Sequence, residues 1–202
     1  MKRLHTIGYY SFGIDELAKA LLRHGVNAVA DVRSVPFSKY KPEFNQGQIE
    51  GGLQAHGIGY VFLGKELGVR SDDGTCYVPI KAGREERVDF CKLAESALFK
   101  SGMERLVRGM ERYNVALLCA EKDPLMCHRA LLVCRQVKVV APGAEIWHVL
   151  ADGKVEHHRD MERRMFQFLA IDEESLFDEA SNVLDNAYDM MSERIAYVRE
   201  KR

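Results

Sequence analysis

The stretch VALLCAEKDPLMCHR, residues 115–129, decides how this chain is read. Its first half, Val115 to Ala120, is almost wholly apolar, as a strand covered on both faces should be, which places it at the centre of a parallel sheet. Its second half opens with Asp123 and Pro124, a capping residue followed by one suited to the first helical position. That pairing predicts a helix over about 124–136, with Cys127, His128 and Arg129 in its first two turns. A buried strand running straight into a helix is the unit of an α/β fold.

The same alternation extends on both sides. Leu4–Ile7 reads as a first strand closed by Gly8, and Ser11 as the cap of a helix whose apolar positions Ile14, Leu17, Ala18, Leu21 and Leu22 share one face before Gly25 stops it. Val26–Val32 follows as a second strand, so the segment has the length of a right-handed βαβ unit. Residues 33–45 form a polar loop too long for a simple connector. A weak helix over 46–56, a strand over 58–63 and an irregular stretch over 64–83 come next. Helical patterns then cover about 84–99 and 101–113. After the central strand and its helix, Glu145–Leu150 is a strand that turns at Asp152-Gly153 into Val155–His157. Met161–Ala170 and a long amphipathic helix from about Ser175, with Leu176, Ala180, Met191, Ile195 and Val198 on one side, complete the chain. The expected architecture is a three-layer α/β fold: an open, mostly parallel sheet with helices on both faces, plus a C-terminal helical extension. The body spans 1–158 and the extension 159–202.

The chain's 202 residues are 47% hydrophobic and 29% charged, enough to bury a core and incompatible with a disordered or fibrous chain. Its net charge of -1 excludes a global field for nucleic acid or membrane. The charge is unevenly distributed. Residues 151–202 hold 8 basic and 13 acidic side chains, leaving 21 basic and 17 acidic side chains in residues 1–150. An acidic tail thus masks a mildly basic body with room for a local anion site. Five scattered cysteines and no long apolar run point to a soluble, cytoplasmic protein with no membrane partner.

Ligands of open parallel sheets bind beyond the carboxyl ends of the strands. Asp31 and Arg33 follow the second strand there, and Cys119 and Glu121 follow the central one. A thiol at a helix start is acidified by the helix terminus, so Cys127 is the candidate nucleophile. His128 is the candidate acid or base, and Glu121 and Asp31 are placed to orient it or a water. Arg33 and Arg129 are the candidate anion clamp, because a guanidinium fork matches phosphate oxygens. Ser38 and Tyr9 complete the substrate-binding set. Cys119, Glu121, Cys127 and His128 also carry the mixed donors of a zinc site. Neighbouring helical residues project about 100° apart, however, which argues against Cys127 and His128 sharing an ion, and no cofactor is expected. The plain alternative makes Cys119 a core thiol and Cys127-His128-Arg129 ordinary first-turn residues.

The blocks TIGYYS (6–11), DVRSVPFSKYKPEFN (31–45), GIGYVFLGKELG (57–68) and LLCAEKDPLMCHR (117–129) resemble, in order and spacing, the bacterial family called domain of unknown function 488. The resemblance runs over residues 4–158. It implies a single α/β domain in a soluble bacterial or archaeal protein, and no particular activity. Its motif positions here are Asp31, Arg33, Pro36, Ser38, Cys119, Glu121, Asp123, Pro124, Cys127, His128 and Arg129. The sequence departs from the family at Tyr9, where histidine is frequent, and at Gly64–Gly68, where a Leu-Gly-Gly is usual.

Three functions fit these residues. The first is an enzyme acting on a phosphate-bearing small molecule or nucleic acid, a Cys/His-dependent transferase or hydrolase. The second is a nucleotide or nucleic-acid binding module without catalysis, in which tyrosines stack on bases. The third is a structural or interaction protein whose acidic C-terminal helix, residues 175–202, pairs with a partner or with a second copy of itself.

Overall fold

A computed structural model describes residues 2–80, 83–171 and 176–201, with the side chains of 176–182 left aside. Six strands form one sheet in the order β3-β2-β6-β1-β7-β8. They are β1 (Arg3–Gly8), β2 (Ala28–Asp31), β3 (Gly59–Phe62), β6 (Val115–Cys119), β7 (Glu145–Val149) and β8 (Val155–His157). The first five run parallel, and β8 returns antiparallel to β7 through the expected turn, where Gly153 adopts φ 78°. Every residue of β6 is buried, because β1 and β2 flank it and helices cover both faces.

One face of the sheet, through Ile7, Val29, Ala116 and Leu118, packs on α1 (Ile14–Arg23) and α2 (Gln46–Ala55). The other face, through Leu4, Ala30, Leu117 and Cys119, packs on the segment after β6, on α4 (Phe90–Glu95) and α5 (Ala97–Met110), and on the C-terminal helices. Those are α7 (His158–Leu169) and α8 (Leu176–Ile195). Met161, Met165, Phe166, Ala187, Tyr188 and Met191 are buried in the same cluster as β6, so the acidic extension packs on the body. Burying those six side chains removes surface worth roughly 1.5–3 kcal/mol each from water. Among the described residues no helix is long and apolar enough to cross a membrane.

Several elements differ from expectation. Residues 9–11 form a 3-10 turn, so Ser11 does not cap α1; Gly13 does, its N–H donating to Glu16 Oε2 at 2.9 Å. The expected helix over 84–99 begins as a strand, β5 (Glu85–Val88). It pairs with β4 (Tyr77–Pro79) on one side and, on the other, with β9 (Val198–Glu200), a strand in place of the helix end expected at Val198. Pairing with a partner over a hundred residues away overrides local helix propensity in Arg84–Val88. Asp89 and Ser96 then cap α4 and α5, accepting from the N–H groups of Lys92 and Phe99. Within the stretch expected to be irregular lies a short helix, α3 (Gly64–Leu67). Residue 175, where the sequence pattern opens the last helix, lies outside the described residues, as do the side chains of Leu176 and Ala180.

The expected helix over 124–136 is three pieces. Pro124–Met126 is a 3-10 turn capped by Asp123, Cys127 is extended, and Arg129–Cys134 is a π-helical turn that continues into α6 (Arg135–Val140). This segmentation determines where the chemistry sits.

Candidate active site

β2, β6 and β1 lie side by side and end at the same edge of the sheet, and the chain leaves β1 and β6 over opposite faces. Such a divergence opens space at the strand ends. Backbones approach closely here. A Cβ on Gly8 would lie 1.7 Å from the carbonyl oxygen of Glu121, so only glycine fits where β1 ends.

Beyond β2, Asp31 and Arg33 form a closed pair. Arg33 Nη2 lies 2.6 Å from Asp31 Oδ2 and Nε 2.9 Å from Oδ1, while Nη1 donates to the Phe44 carbonyl and the Tyr60 hydroxyl donates to Oδ2. Burial opposes the charge on Arg33, but Asp31 raises its pKa further above the ordinary value. Tyr9 stacks on Phe44 at 4.4 Å, beneath the Arg33 guanidinium. Ser38 receives the Lys41 N–H and donates its own N–H to Asn45. Asp31, Arg33, Tyr9 and Ser38 therefore hold the 33–45 loop in place.

Beyond β6, four side chains converge. The sulfurs of Cys119 and Cys127 each lie 3.0 Å from Glu121 Oε2, and Cys119 Sγ lies 3.8 Å from His128 Nδ1. Both sulfurs and a ring nitrogen of His128 fall within 4.8 Å of one another. Cys119, Cys127 and His128 are buried, whereas Glu121 reaches solvent. His128 Nε2 is 3.0 Å from the carbonyl of Val32. A carbonyl only accepts, so Nε2 carries a proton, and in the neutral ring Nδ1 turns a lone pair toward the sulfurs. The helical argument that separated Cys127 from His128 does not hold, because Cys127 is extended, with φ -143° and ψ 136°. Cys127 instead caps the helical run that follows, its carbonyl accepting from the N–H groups of Ala130 and Leu131.

Neighbouring side chains also act on its thiol. Burial opposes ionisation of Cys127, but the Cys119 thiol, Arg129 and His128 hold its pKa well below that of a free thiol. Cys119 is pushed well above it, first by its hydrogen bond with Cys127 and then by burial. Burial, with the charge on Cys127, raises Glu121. Burial lowers His128, but Cys127 outweighs it and the net shift is upward.

Arg129 is fully buried behind the cluster. Its Nε donates to Thr6 Oγ1 at 3.2 Å, and Nη1 and Nη2 donate to the carbonyls of Glu121 and Lys122. The anion forks expected of Arg33 and Arg129 are thus both turned on the protein's own oxygens. Unlike Arg33, Arg129 forms no ion pair among the described residues. Asp123 pairs at 2.8 Å with Arg164, which also binds Glu156 and so ties the turn after β6 to α7.

Sequence reasoning gave no site role to Thr6, His158 and Tyr188, which with His148 continue from Arg129 as a buried chain. Thr6 Oγ1 meets His148 Nδ1 at 2.8 Å, His148 Nε2 meets His158 Nδ1 at 2.9 Å, and His158 Nε2 meets the Tyr188 hydroxyl at 2.8 Å. A polar Thr6 in an apolar strand was the one signal available. Cavities of about 490 and 680 Å³ lie along α5, away from the cluster.

The chain agrees with a family model over residues 13–135, which takes in Asp31, Arg33, Cys119, Glu121, Cys127, His128 and Arg129. No curated protein and no solved structure matches it. The match covers more than half of the chain, which therefore belongs to the family described as domain of unknown function DUF488.

Proposed function

We propose that the crevice beyond β1, β2 and β6 is the active centre of an enzyme acting on a phosphate-bearing substrate, a nucleotide or nucleic acid. The observation that carries this reading is the convergence of two thiols and an imidazole behind a solvent-reaching carboxylate, at the end of a parallel sheet where ligands bind. A fold does not need such a cluster for stability, since an apolar core at these positions avoids the cost of burying polar groups. Glu121 is the acid–base group: one oxygen faces the sulfurs, and its carboxylate is open to a substrate or water.

Binding falls to the rim. Lys122 is exposed, with its Nζ 4.9 Å from the centre of the exposed Tyr10 ring, and Phe37, Lys39 and Tyr40 are exposed on the loop after β2. Cations interleaved with free aromatic faces suit phosphates and bases.

The test is a panel of nucleotides and short single-stranded oligonucleotides, with binding followed by NMR at two salt concentrations and turnover by chromatography. The expected result is binding that weakens as salt rises, with turnover abolished in Glu121→Gln while binding persists. Salt-dependent binding without turnover would instead make this a binding module. Absence of both binding and turnover would contradict the proposal.

A further inference from the structure

We propose that Cys119, Cys127 and His128 ligate a divalent ion of the zinc class, with Glu121 facing its fourth position. This rests on the crevice being the working site and names the cofactor that site would take.

Geometry argues first. A tetrahedral ion with Zn–S of about 2.3 Å and Zn–N of about 2.0 Å sets its sulfur and nitrogen ligands about 3.6 Å apart. Cys119 Sγ and His128 Nδ1 are 3.8 Å apart, and the three donor atoms lie within 4.8 Å of one another. Both cysteines are free thiols, so no disulfide occupies the position. Two sulfurs, each negative when ionised, both lie 3.0 Å from one oxygen of the Glu121 carboxylate. Only protons or a cation between them make that approach favourable.

The surroundings argue second. Metal-bound histidine characteristically donates its other ring N–H to a carbonyl or carboxylate, which fixes the tautomer and aims the free nitrogen. His128 does this through Val32. Two thiolates and a neutral imidazole around a divalent ion sum to zero, which leaves Glu121 negative. Arg129, buried and without an ion pair among the described residues, matches that charge. Sulfur and nitrogen donors select zinc over magnesium or calcium, which demand oxygen. Three protein ligands with an open fourth position are the pattern of catalytic zinc, where the ion supplies Lewis acidity and Glu121 is placed to take a proton.

The experiment uses the full chain, stripped with a chelator under a phosphine reductant and titrated with Co²⁺ and then Zn²⁺. The expected result is one Co²⁺ per chain, with a thiolate-to-cobalt charge-transfer band and tetrahedral d–d absorption that Zn²⁺ displaces. Cys127→Ser and His128→Asn should each weaken binding about 100-fold or more. Cys91→Ser, at an exposed cysteine outside the cluster, should leave it unchanged. Absence of the charge-transfer band in protein that circular dichroism shows to be folded would overturn the inference, as would an unaltered spectrum in folded Cys127→Ser. Metal bound without turnover of any nucleotide would leave the ion in place and remove the substrate reading. Turnover by chelator-stripped protein would do the reverse.

Discussion

Two buried polar systems lie on the same face of the sheet, joined through Arg129, and they differ in how completely they are satisfied. In the Thr6–His148–His158–Tyr188 chain every donor finds an acceptor in one direction. Arg129 donates to Thr6, Thr6 to His148, His148 to His158, His158 to Tyr188, and Tyr188 to Glu162 at 2.7 Å, with Lys138 closing the end. That order requires both imidazoles to be neutral. In the crevice, by contrast, two sulfurs share one carboxylate oxygen and the histidine nitrogen stands 3.8 Å off. A closed network is a structural device that rigidifies a core. An open one beside a strand-end mouth is built for something that is not part of the chain.

The predictions test that contrast. The largest effect is expected from acid. Burial lowers the pKa of His158 to about 4, and His148 moves the same way. An unfolded histidine takes a proton near pH 6.5, but the folded ones resist until far lower. Stability is therefore fully present above pH 6.5 and lost as pH falls toward 4, by about 3 kcal/mol for His158 alone. Chemical denaturation at a series of pH values checks this, and a flat profile between 7 and 5 would mean the chain is not what it is drawn to be. Next comes Gly8→Ala. Its Cβ meets the Glu121 carbonyl backbone, so we expect a loss of about 3 kcal/mol together with displacement of Glu121, read by thermal unfolding and by the Glu121 amide resonance. Smaller is Tyr188→Phe, which leaves Glu162 and His158 without their shared partner and should cost about 1–2 kcal/mol while cobalt binding stays intact. Smallest in stability is Cys127→Ser, below about 1 kcal/mol, because the hydroxyl can still reach Glu121. The two systems thus separate at their side chains: Tyr188→Phe lowers stability and spares the site, and Cys127→Ser does the opposite.

How far the sequence could be read depended on the range of the forces involved. The central strand, the helix stops at Gly25 and Gly57, and the turn at Gly153 follow from local rules, and all stand in the structure. β5 did not, because its helical pattern yields to pairing with Val198–Glu200 at the far end of the chain. At the site, the residue types were legible but their geometry was not. Cys119 reads as a core thiol because it closes an apolar strand, and Cys127 reads as helical because Asp123-Pro124 is a sound helix start. The start is real, but the helix it opens is a single 3-10 turn, and the extended residue after it turns Cys127 toward Cys119. The Val32 carbonyl that aims His128 belongs to the backbone and leaves no trace in residue identity.

The central claim, that the open cluster of Cys119, Cys127 and His128 is built to hold an ion, is tested most directly by anomalous diffraction at the zinc edge from crystals of the protein grown with zinc present. The account predicts a single peak bonded to the sulfurs of Cys119 and Cys127 and to Nδ1 of His128, with Glu121 facing its open side. A map with no peak there, and both sulfurs still on the Glu121 carboxylate, would contradict it.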